Sequence, residues 1–382
     1  MKDQPNWATR AAAIEMLGVR PQTLYAYVSR GIIRAKPEDH DPRRSRYSVH
    51  DIRELVARKK HARRRRDIAA GAIAWGEAVL ETSISTVRDH RLVFRGQDAV
   101  LLSRHASLED VAQLLWRSGP PPPGANSRAQ ISRLPTAKAR GFDFLSKAAG
   151  VDPPSFGRTQ SLLHREAWEI LQGFADAMLG KAAPGLIHER IAAVWALDSR
   201  ASDIFRRALV LASDHELNAS TFTTRIAVST GAALAAAALA GFAAVVGPLH
   251  GLASARALDL LDRMLASDAP HQFIRDALSR GERIFAFGHP LYGSGDVRAA
   301  ELLRALKPSR RISDAISTGE KETGEAAMLD MAFAAMTREL GFGGDAAFII
   351  FAIGRMVGWI AHALEQHERG RLIRPRARYI GP

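Results

Sequence analysis

The chain has 382 residues, of which 47% are hydrophobic and 24% charged, and this is enough for two or three domains with full hydrophobic cores. It contains no cysteine, which excludes disulfides, cysteine-ligated zinc, iron–sulfur clusters and a cysteine nucleophile, and which fits a reducing, cytoplasmic compartment. The first residues, Met1 to Pro5, lack the apolar segment of a signal peptide, so we expect no export signal.

The net charge of +13 is unevenly distributed along the chain. Residues 1–66 hold 17 Lys and Arg against 7 Asp and Glu, whereas the remaining residues hold 36 against 33. A basic segment joined to a nearly neutral remainder indicates a separate module that binds nucleic acid or another anion.

Two short helices are predicted near the start of the chain. Thr9 can cap the first helix, Gly18 ends it, and Pro21 suits the first turn of a second helix that runs from Gln22 to Ser29. Pro37 to Arg46 is predicted to be a basic loop that leads into an amphipathic helix. The side chains that we expect to reach base edges and phosphates are Gln22, Thr23, Tyr25, Tyr27, Arg30, Arg43, Arg44 and Arg46.

This N-terminal segment resembles the first part of a MerR-type winged helix-turn-helix. The resemblance is carried by Leu17-Gly18-Val19, Thr23-Leu24-Tyr25, Gly31-Ile32-Ile33, Arg43 to Ser48 and Asp51-Ile52. It implies a DNA-binding module, and the alternative is a small helical appendage that serves oligomerisation or regulation. The basic run Lys59 to Arg66 is a plausible boundary, so we predict a first domain over residues 1–66.

A β-hairpin and several helices are predicted beyond this boundary. Thr82 to Asp98 alternates polar and apolar residues around a turn at Asp89-His90, which predicts a short hairpin. Ser107 is expected to cap a helix that continues to Trp116. The Ala-rich run Gly231 to Val246 has 16 residues, too few to span a membrane, and is expected to form a tightly packed central helix.

Two histidine motifs bracket this central helix. His215 lies in Ser213-Asp214-His215-Glu216-Leu217-Asn218, and His250 lies in Gly247-Pro248-Leu249-His250-Gly251. These residues could be core or capping histidines, but the layout can also bring both imidazoles to one cleft. Further polar residues follow in apolar or tight surroundings, namely His289, Arg298, Asp330 and Arg355.

The spacing of these residues argues against several kinds of site. No H-x-H, H-x-x-x-H or H-E-x-x-H pattern supports a compact metal site, so we expect no metal. The sequence also has no G-x-S-x-G, G-x-G-x-x-G or Walker A motif. What remains suits carbon-acid chemistry, in which a carboxylate takes a proton alpha to a carbonyl, imidazoles stabilise the enolate and arginines hold carboxylates.

From about residue 80 to residue 382 the chain resembles the citrate synthase family. The motifs follow in family order: Asp214 to Phe222, Gly247 to Gly251, Gly288-His289-Pro290, Ile353-Gly354-Arg355 and Gly358 to His362. The resemblance implies that His215 contacts oxaloacetate, His250 hydrogen-bonds the acetyl-CoA carbonyl, His289 polarises the oxaloacetate ketone and Asp330 removes the acetyl methyl proton. It also implies that Arg298 and Arg355 hold oxaloacetate carboxylates.

The same resemblance implies a mostly α-helical, two-domain fold with the short β-hairpin, preceded by the small winged helix-turn-helix domain. A large domain would comprise residues 67–250 and 341–382, and a small domain, residues 251–340, would close over the substrate. The expected assembly is a homodimer or a higher homo-oligomer in which Arg374 reaches a partner subunit's site.

The sequence departs from the family pattern in three places. Met328-Leu329-Asp330 stands where Asn-Val-Asp is usual, and Asp296-Val297-Arg298 stands where Asp-Pro-Arg is usual. Gly293-Ser294 replaces the basic residues that commonly follow the third histidine, near the CoA phosphates.

Two functional hypotheses follow from the sequence. The first is an acyltransferase of class EC 2.3.3.-, which condenses acetyl-CoA with oxaloacetate and water to citrate and CoA, or propionyl-CoA to 2-methylcitrate, with no cofactor beyond its acyl-CoA substrate. One methylene is worth only about 1–3 kcal/mol, so the motifs do not separate these substrates. The second is a metabolite-sensing DNA-binding regulator built on the same fold, with no membrane association in either case.

Overall fold

The computed structural model describes residues 7–19, 21–29, 32–38, 41–56, 80–122, 131–282, 284–377, 379 and 381. The chain divides into two compact units, one drawn from Met1–Glu81 with Arg376–Pro382 and the other from Thr82–Pro375. The proposed boundary at residue 66 and the predicted contact residue Arg30 lie outside the described residues, as do the side chains of Gln22 and Arg43.

The first unit contains the two predicted N-terminal helices. Helix α1 spans Arg10–Leu17, with the Thr9 hydroxyl accepting a hydrogen bond from the Ala12 amide at 3.3 Å, and Gly18 ends it in the left-handed region with φ 62°. Helix α2 spans Pro21–Ser29. The predicted cap and helix-ending glycine are therefore confirmed.

A three-stranded antiparallel sheet completes this unit. Strands β1 (Trp7–Ala8), β2 (Ala35–Glu38) and β3 (Asp41–Ser48) lie in the order β1-β3-β2. Residues 49–56 form helix α3, and the small core includes Ala13, Leu24, Ile33, Tyr47 and Ile52.

The prediction of a basic loop over Pro37 to Arg46 was wrong, because most of this segment pairs as β2 and β3. Lys36 lies opposite Arg46 in the ladder, and Arg46 forms an ion pair with Glu38 across it. Strand β3 has polar residues at both sets of alternate positions, and β2 is only four residues long and contains a proline, so neither strand has the strong strand pattern that sequence analysis detects.

The second unit begins with the predicted hairpin. Strands β4 (Ser85–Arg88) and β5 (Arg91–Phe94) pair antiparallel, and β6 (Gln97–Asp98) adds to β5. Asp89 and His90 both have positive φ, 50° and 60°, as a two-residue turn of the primed type requires. The hairpin is thus confirmed with its turn at the expected residues.

Helices make up most of the rest of this unit. The predicted cap of α5 (Leu108–Trp116) is confirmed, since the Ser107 hydroxyl and the Asp110 carboxylate form a reciprocal capping box. The other helices are α4 Ala99–Ser103, α6 Ala137–Val151, α7 Gln160–Leu179, α8 Ile187–Trp195, α9 Ser199–Ala212, α10 Ala219–Ser229, α11 Leu234–Val245, α12 Ala253–Ala266, α13 Pro270–Ser279, α14 Val297–Leu306, α15 Arg310–Thr323, α16 Leu329–Glu339 and α17 Asp345–Arg369.

Two buried helices form the centre of the unit. The Ala-rich helix α11 packs against α6, α10 and α17, so the central helix expected from Gly231 to Val246 is confirmed over most of that range. Helix α17 has 25 residues and is apolar enough to cross a membrane, but its whole apolar window is buried inside the protein. It is therefore a core helix, as its packing against α5, α7, α9 and α10 requires.

Glycine allows α17 to approach the chain segment after α9. The Gly358 amide donates a hydrogen bond to the Ser213 carbonyl at 3.0 Å, and a Cβ at this position would overlap that carbonyl and the Asp214 carboxylate. One turn earlier, a Cβ on Gly354 would lie 2.7 Å from the Leu209 carbonyl. Both glycines are therefore required by close backbone packing.

We predict that Gly358→Ala lowers the free energy of unfolding by about 1–3 kcal/mol, because the added methyl group must displace buried backbone. The measurement is a denaturant titration followed by circular dichroism. Gly343→Ala is the matched control, since a Cβ there meets no atom within 4 Å, and its stability should equal the wild type. Equal stability of both variants would contradict the proposed close contact.

Candidate active site

His215 lies in the connection between α9 and α10. Asn218 caps α10 by accepting a hydrogen bond from the Thr221 amide at 3.1 Å, and Glu216 has φ 49°, so the chain turns sharply beside the histidine. The His215 side chain is buried, and its Nε2 lies 3.0 Å from the hydroxyl of Tyr292.

Both neighbours of His215 are held by the β4–β5 hairpin. The Ser85 hydroxyl donates to the Asp214 carboxylate and accepts from the Glu216 amide at 3.0 Å. The Glu216 carboxylate accepts from the Val87 amide at 2.6 Å. The hairpin therefore fixes the backbone on each side of His215.

His250 lies between α11 and α12. Its Nε2 is 2.7 Å from the Ser220 hydroxyl, which also accepts a hydrogen bond from the indole N–H of Trp359 at 3.0 Å. A Cβ on Gly251 would lie 2.6 Å from the Val245 carbonyl, so this tight turn requires glycine. The contacts with α10 and α17 orient the imidazole.

His289 lies in the loop that precedes α14. Its Nδ1 accepts a hydrogen bond from the Leu291 amide at 3.2 Å, so a neutral ring carries its proton on Nε2. The ring centroid lies 5.0 Å from that of His215, with the two planes nearly perpendicular at 87°. His289 can therefore donate a hydrogen bond from Nε2 next to His215.

Asp296 connects an arginine to the predicted base. Its carboxylate accepts two hydrogen bonds from the Arg298 guanidinium, at 2.9 and 2.8 Å, and one from the Leu329 amide at 3.0 Å. Leu329 precedes Asp330, which lies in the first turn of α16. This carboxylate thus ties the starts of α14 and α16 together.

Arg355 lies in the middle of α17 with 2% of its surface exposed. Its Nε donates to the Ala212 carbonyl at 2.8 Å, at the end of α9, and its guanidinium carbon lies 4.8 Å from the Phe351 ring centroid. The same Phe351 ring packs 6.0 Å from His250. Arg355 therefore extends from the core helix toward the histidines.

Burial and positive charge lower the pKa values of the three histidines. The pKa of His215 lies well below its usual range, mainly because the side chain is buried and also because Arg298 and Arg355 are positively charged. Burial, followed by Arg355 for His250 and Arg298 for His289, lowers the pKa of each to about 4. All three imidazoles are therefore neutral at pH 7 and can act as neutral hydrogen-bond donors.

The pKa of the Asp330 carboxyl group is shifted upward, whereas the pKa values of the three histidines are shifted downward. Burial raises its pKa to about 6, with Arg298 opposing this shift and Asp296 adding to it. A carboxylate with a pKa of about 6 is mostly ionised at pH 7 and is more basic than an ordinary aspartate, so it can accept a proton from a weak acid.

The structure brings six of the seven residues predicted for catalysis and substrate binding into one cluster, namely His215, His250, His289, Arg298, Asp330 and Arg355. The seventh, Arg374, is exposed in the tail after α17. The amide of neighbouring Ile373 donates to the Ser229 hydroxyl at the end of α10, whereas Ser220 lies at its start. About 15 Å of helix separates these ends, so Arg374 lies apart from the cluster of its own chain.

Three residues of the site were not predicted from the sequence. Tyr292, Ser220 and Asp296 each bond directly to a predicted residue. Asp296 could have been found, because an acid two residues before a buried arginine can pair with it. Ser220 and Tyr292 contact partners 30 and 77 positions away, which spacing does not show.

The cluster can hold an anion with two arginines, donate hydrogen bonds from neutral imidazoles and accept a proton at Asp330. Within the described residues, no group of three or more histidine, aspartate and glutamate side chains is arranged to bind a metal ion. The arginines, the neutral imidazoles and Asp330 together suit proton transfer next to a stabilised oxyanion.

Comparison with known proteins identifies similar sequences. The family model described as citrate synthase, C-terminal domain, matches residues 169–376. Citrate synthase 2 of Bacillus subtilis is 39% identical over 193 residues, covering 47% of this chain and 51% of that protein. A 2-methylcitrate synthase of Shewanella oneidensis is 28% identical over 365 residues, covering 81% of this chain and 95% of that protein.

This chain spans about half the length of several of the curated relatives that it matches, such as the citrate synthase of Haloferax volcanii, of which it covers 50% at 39% identity. The family model extends from residue 169 to residue 376 and therefore includes His215 through Arg355.

Solved structures share the fold over most of the chain. The structure of a ternary complex of carboxymethyl coenzyme A and oxaloacetate with the citrate synthase of Thermoplasma acidophilum covers 80% of this chain, with a TM-score of 0.67 and 24% identity. The chain covers 94% of that protein. A citrate synthase of Thermotoga maritima also has a TM-score of 0.67, with 23% identity and the same coverage. The mostly helical fold predicted from the sequence is thereby confirmed.

Proposed function

The chain belongs to the citrate synthase family, and we propose that it condenses an acyl-CoA with oxaloacetate and water, releasing free CoA. The acyl donor is acetyl-CoA, which gives citrate, or propionyl-CoA, which gives 2-methylcitrate. The observation that carries this proposal is the arrangement of Asp330, with its pKa near 6, beside two buried arginines and three neutral histidines.

The positive charge of the site suits a dicarboxylate. Arg298 and Arg355 are 5% and 2% exposed, and only Arg298 forms an ion pair through two parallel hydrogen bonds, with Asp296. A buried guanidinium binds a carboxylate strongly because few water molecules compete for it. We therefore assign the two carboxylates of oxaloacetate to Arg298, Arg355 and the neighbouring His215.

Proton transfer is assigned to Asp330, His250 and His289. Asp330 removes a proton from the carbon alpha to the thioester carbonyl, and His250 donates a hydrogen bond to the enolate oxygen that forms. His289 donates from Nε2 to the oxaloacetate ketone, as its hydrogen bond from the Leu291 amide permits. The new carbon–carbon bond joins the enolate carbon to that ketone carbon, and water then cleaves the thioester.

Closure of a small domain over the substrate would exclude water during the carbon–carbon bond formation. We propose residues 251–340 as this domain and residues 67–250 with 341–382 as the large domain. Helices α12 to α16 pack mainly in pairs with one another, α12 with α15 and α16, α13 with α15, and α14 with α16, which supports the division.

We also propose that the protein works in the cytoplasm as a homodimer or a higher homo-oligomer. The position of Arg374, exposed and at the far end of α10 from Ser220, supports a role in the site of a second subunit rather than its own. The absence of cysteine fits a reducing compartment.

We predict oxaloacetate-dependent release of CoA from acetyl-CoA or propionyl-CoA, and its loss by at least about a thousandfold in Asp330→Ala, because the base is removed. Ellman's reagent measures the released thiol, and the chain itself contributes none because it has no cysteine. The preferred acyl chain is read from kcat/KM for the two donors.

Asp345→Ala is the matched control for this experiment. Asp345 is also an acid in the first turn of a helix, α17, but it is exposed, so its variant should keep wild-type turnover. An active Asp330→Ala enzyme would overturn the assignment of the base. A wild-type protein that binds oxaloacetate but releases no CoA from either donor would overturn the proposed reaction.

Turnover should depend on the ionisation of Asp330. Because protonated Asp330 cannot accept a proton, kcat/KM should fall as the pH drops through about 6, where this pKa lies. The pKa values of His250 and His289, about 4, are too low to cause a fall in kcat/KM near pH 6. The loss of the thioester ultraviolet absorbance measures the rate at each pH, with circular dichroism as the control for unfolding. A profile that stays flat down to about pH 5 would contradict the assignment.

For residues 1–66 we propose a MerR-type winged helix-turn-helix that binds duplex DNA as a second activity. Support comes from the consecutive helices α1 and α2, the β2–β3 pair beside them and the basic composition. Of the predicted contact residues, Tyr25 is 47% exposed and the Arg44 side chain is 76% exposed, so both can reach a ligand.

We predict that the protein binds duplex DNA with an affinity that falls as salt increases, and that Arg44→Ala weakens this binding and reduces the salt dependence. Fluorescence anisotropy of labelled DNA measures both quantities. Arg310→Ala is the control, since its side chain is 94% exposed in the other unit and should not affect binding. Undetectable binding at low salt would refute the second activity.

A further inference from the structure

The proposed reaction assigns no role to Tyr292, a buried residue of the site. It lies three positions after His289, in a turn closed by a hydrogen bond from the Tyr292 amide to the His289 carbonyl at 2.9 Å. The Gly295 amide donates to the Tyr292 carbonyl at 3.1 Å, and the side chain is 3% exposed. The loop therefore holds a buried phenol among the polar residues of the site.

The surroundings of this phenol are the residues assigned to oxaloacetate. Its hydroxyl lies 3.0 Å from Nε2 of His215, and its ring centroid lies 5.2 Å from that of His289. The Arg298 guanidinium carbon is 5.4 Å from the same ring. Tyr292 thus contacts three groups that the proposed reaction places around one substrate.

We propose that Tyr292 is a positioning residue that orients His215 for oxaloacetate, by donating a hydrogen bond from its hydroxyl to Nε2 of the imidazole. This inference rests on the proposed function, because it concerns the substrate assigned to His215.

The direction of this hydrogen bond follows from the charge of the substrate. A neutral imidazole has one N–H donor and one acceptor, and a carboxylate only accepts. Nε2 of His215 is already engaged by Tyr292, so His215 can donate to a carboxylate only from Nδ1. Nε2 must then accept, and the phenol must be the donor.

The phenol is suited to donate because it keeps its proton. Burial raises the pKa of Tyr292 to about 12, although Arg298 opposes this shift. The hydroxyl thus fixes both the orientation of the His215 ring and the nitrogen that carries its proton, as partners of functional histidines commonly do. The aromatic ring has a separate role, because it packs against His289 and Arg298 and would do so without the hydroxyl.

Tyr292→Phe separates these two roles, since it removes the hydroxyl and keeps the ring. We expect the dissociation constant for oxaloacetate, measured by isothermal titration calorimetry, to rise roughly tenfold, as expected for the loss of one hydrogen bond that orders a binding group. KM for the acyl-CoA and the melting temperature should stay at their wild-type values. Tyr47→Phe is the control, because Tyr47 is a buried tyrosine of the N-terminal unit.

A double-mutant cycle with His215→Ala tests whether Tyr292 acts through His215. In that background Tyr292→Phe should cause no further loss of oxaloacetate affinity. Equal losses in both backgrounds, or unchanged affinity in Tyr292→Phe, would overturn the inference, and so would a joint fall in melting temperature and in affinity for both substrates. If His215→Ala does not fold, His215→Asn replaces it.

Binding calorimetry also keeps this inference distinct from the proposed reaction. If the wild-type protein binds oxaloacetate but releases no CoA, the proposed reaction fails, and the cycle still tests Tyr292 through binding alone. If CoA is released and the two substitutions reduce oxaloacetate affinity additively, the proposed reaction is supported and the proposed role of Tyr292 is refuted.

Discussion

The burial of two guanidinium groups is the constraint on which the site depends. Removing an arginine from water is costly unless a carboxylate or several hydrogen-bond acceptors replace the lost hydration. For Arg298 the compensation comes from Asp296, which binds it through two hydrogen bonds. For Arg355 it is weaker, one hydrogen bond to the Ala212 carbonyl and the more distant charge of Asp214, and burial lowers its pKa to about 10. Binding of an anion next to Arg355 would therefore compensate its buried charge and stabilise the site.

The same two cations explain the ionisation of the other groups. Their field adds to burial in keeping His215, His250 and His289 neutral, whereas for Asp330 the positive charge of Arg298 limits the upward shift that burial causes. Neutral donors and an ionised but basic carboxylate therefore coexist near pH 7.

Local features were predictable from the sequence, and contacts between distant segments were not. The turn at Asp89-His90 and the cap at Ser107 depend on adjacent residues, so their sequence signals were sufficient. The histidine and arginine positions were found through the family resemblance. The strands β2 and β3 were missed, because β2 is short and contains a proline and β3 has polar residues on both faces. The contact of Tyr292 with His215 was missed, because 77 positions separate the two residues.

Distant segments also determine how firmly His215 is held. Asp214 accepts hydrogen bonds from Ser85 of the hairpin and from His362 of α17, the latter at 3.2 Å, and Gly358 lets α17 approach the same segment. The backbone around His215 is thus held by hydrogen bonds from the hairpin and from α17, whereas its side chain contacts Tyr292 from the loop before α14. A motion of that loop would change the partner of the imidazole without disturbing its backbone. The orientation of His215 therefore depends both on the segment packed against α17 and on the loop before α14, which lies in the domain that we propose closes over the substrate.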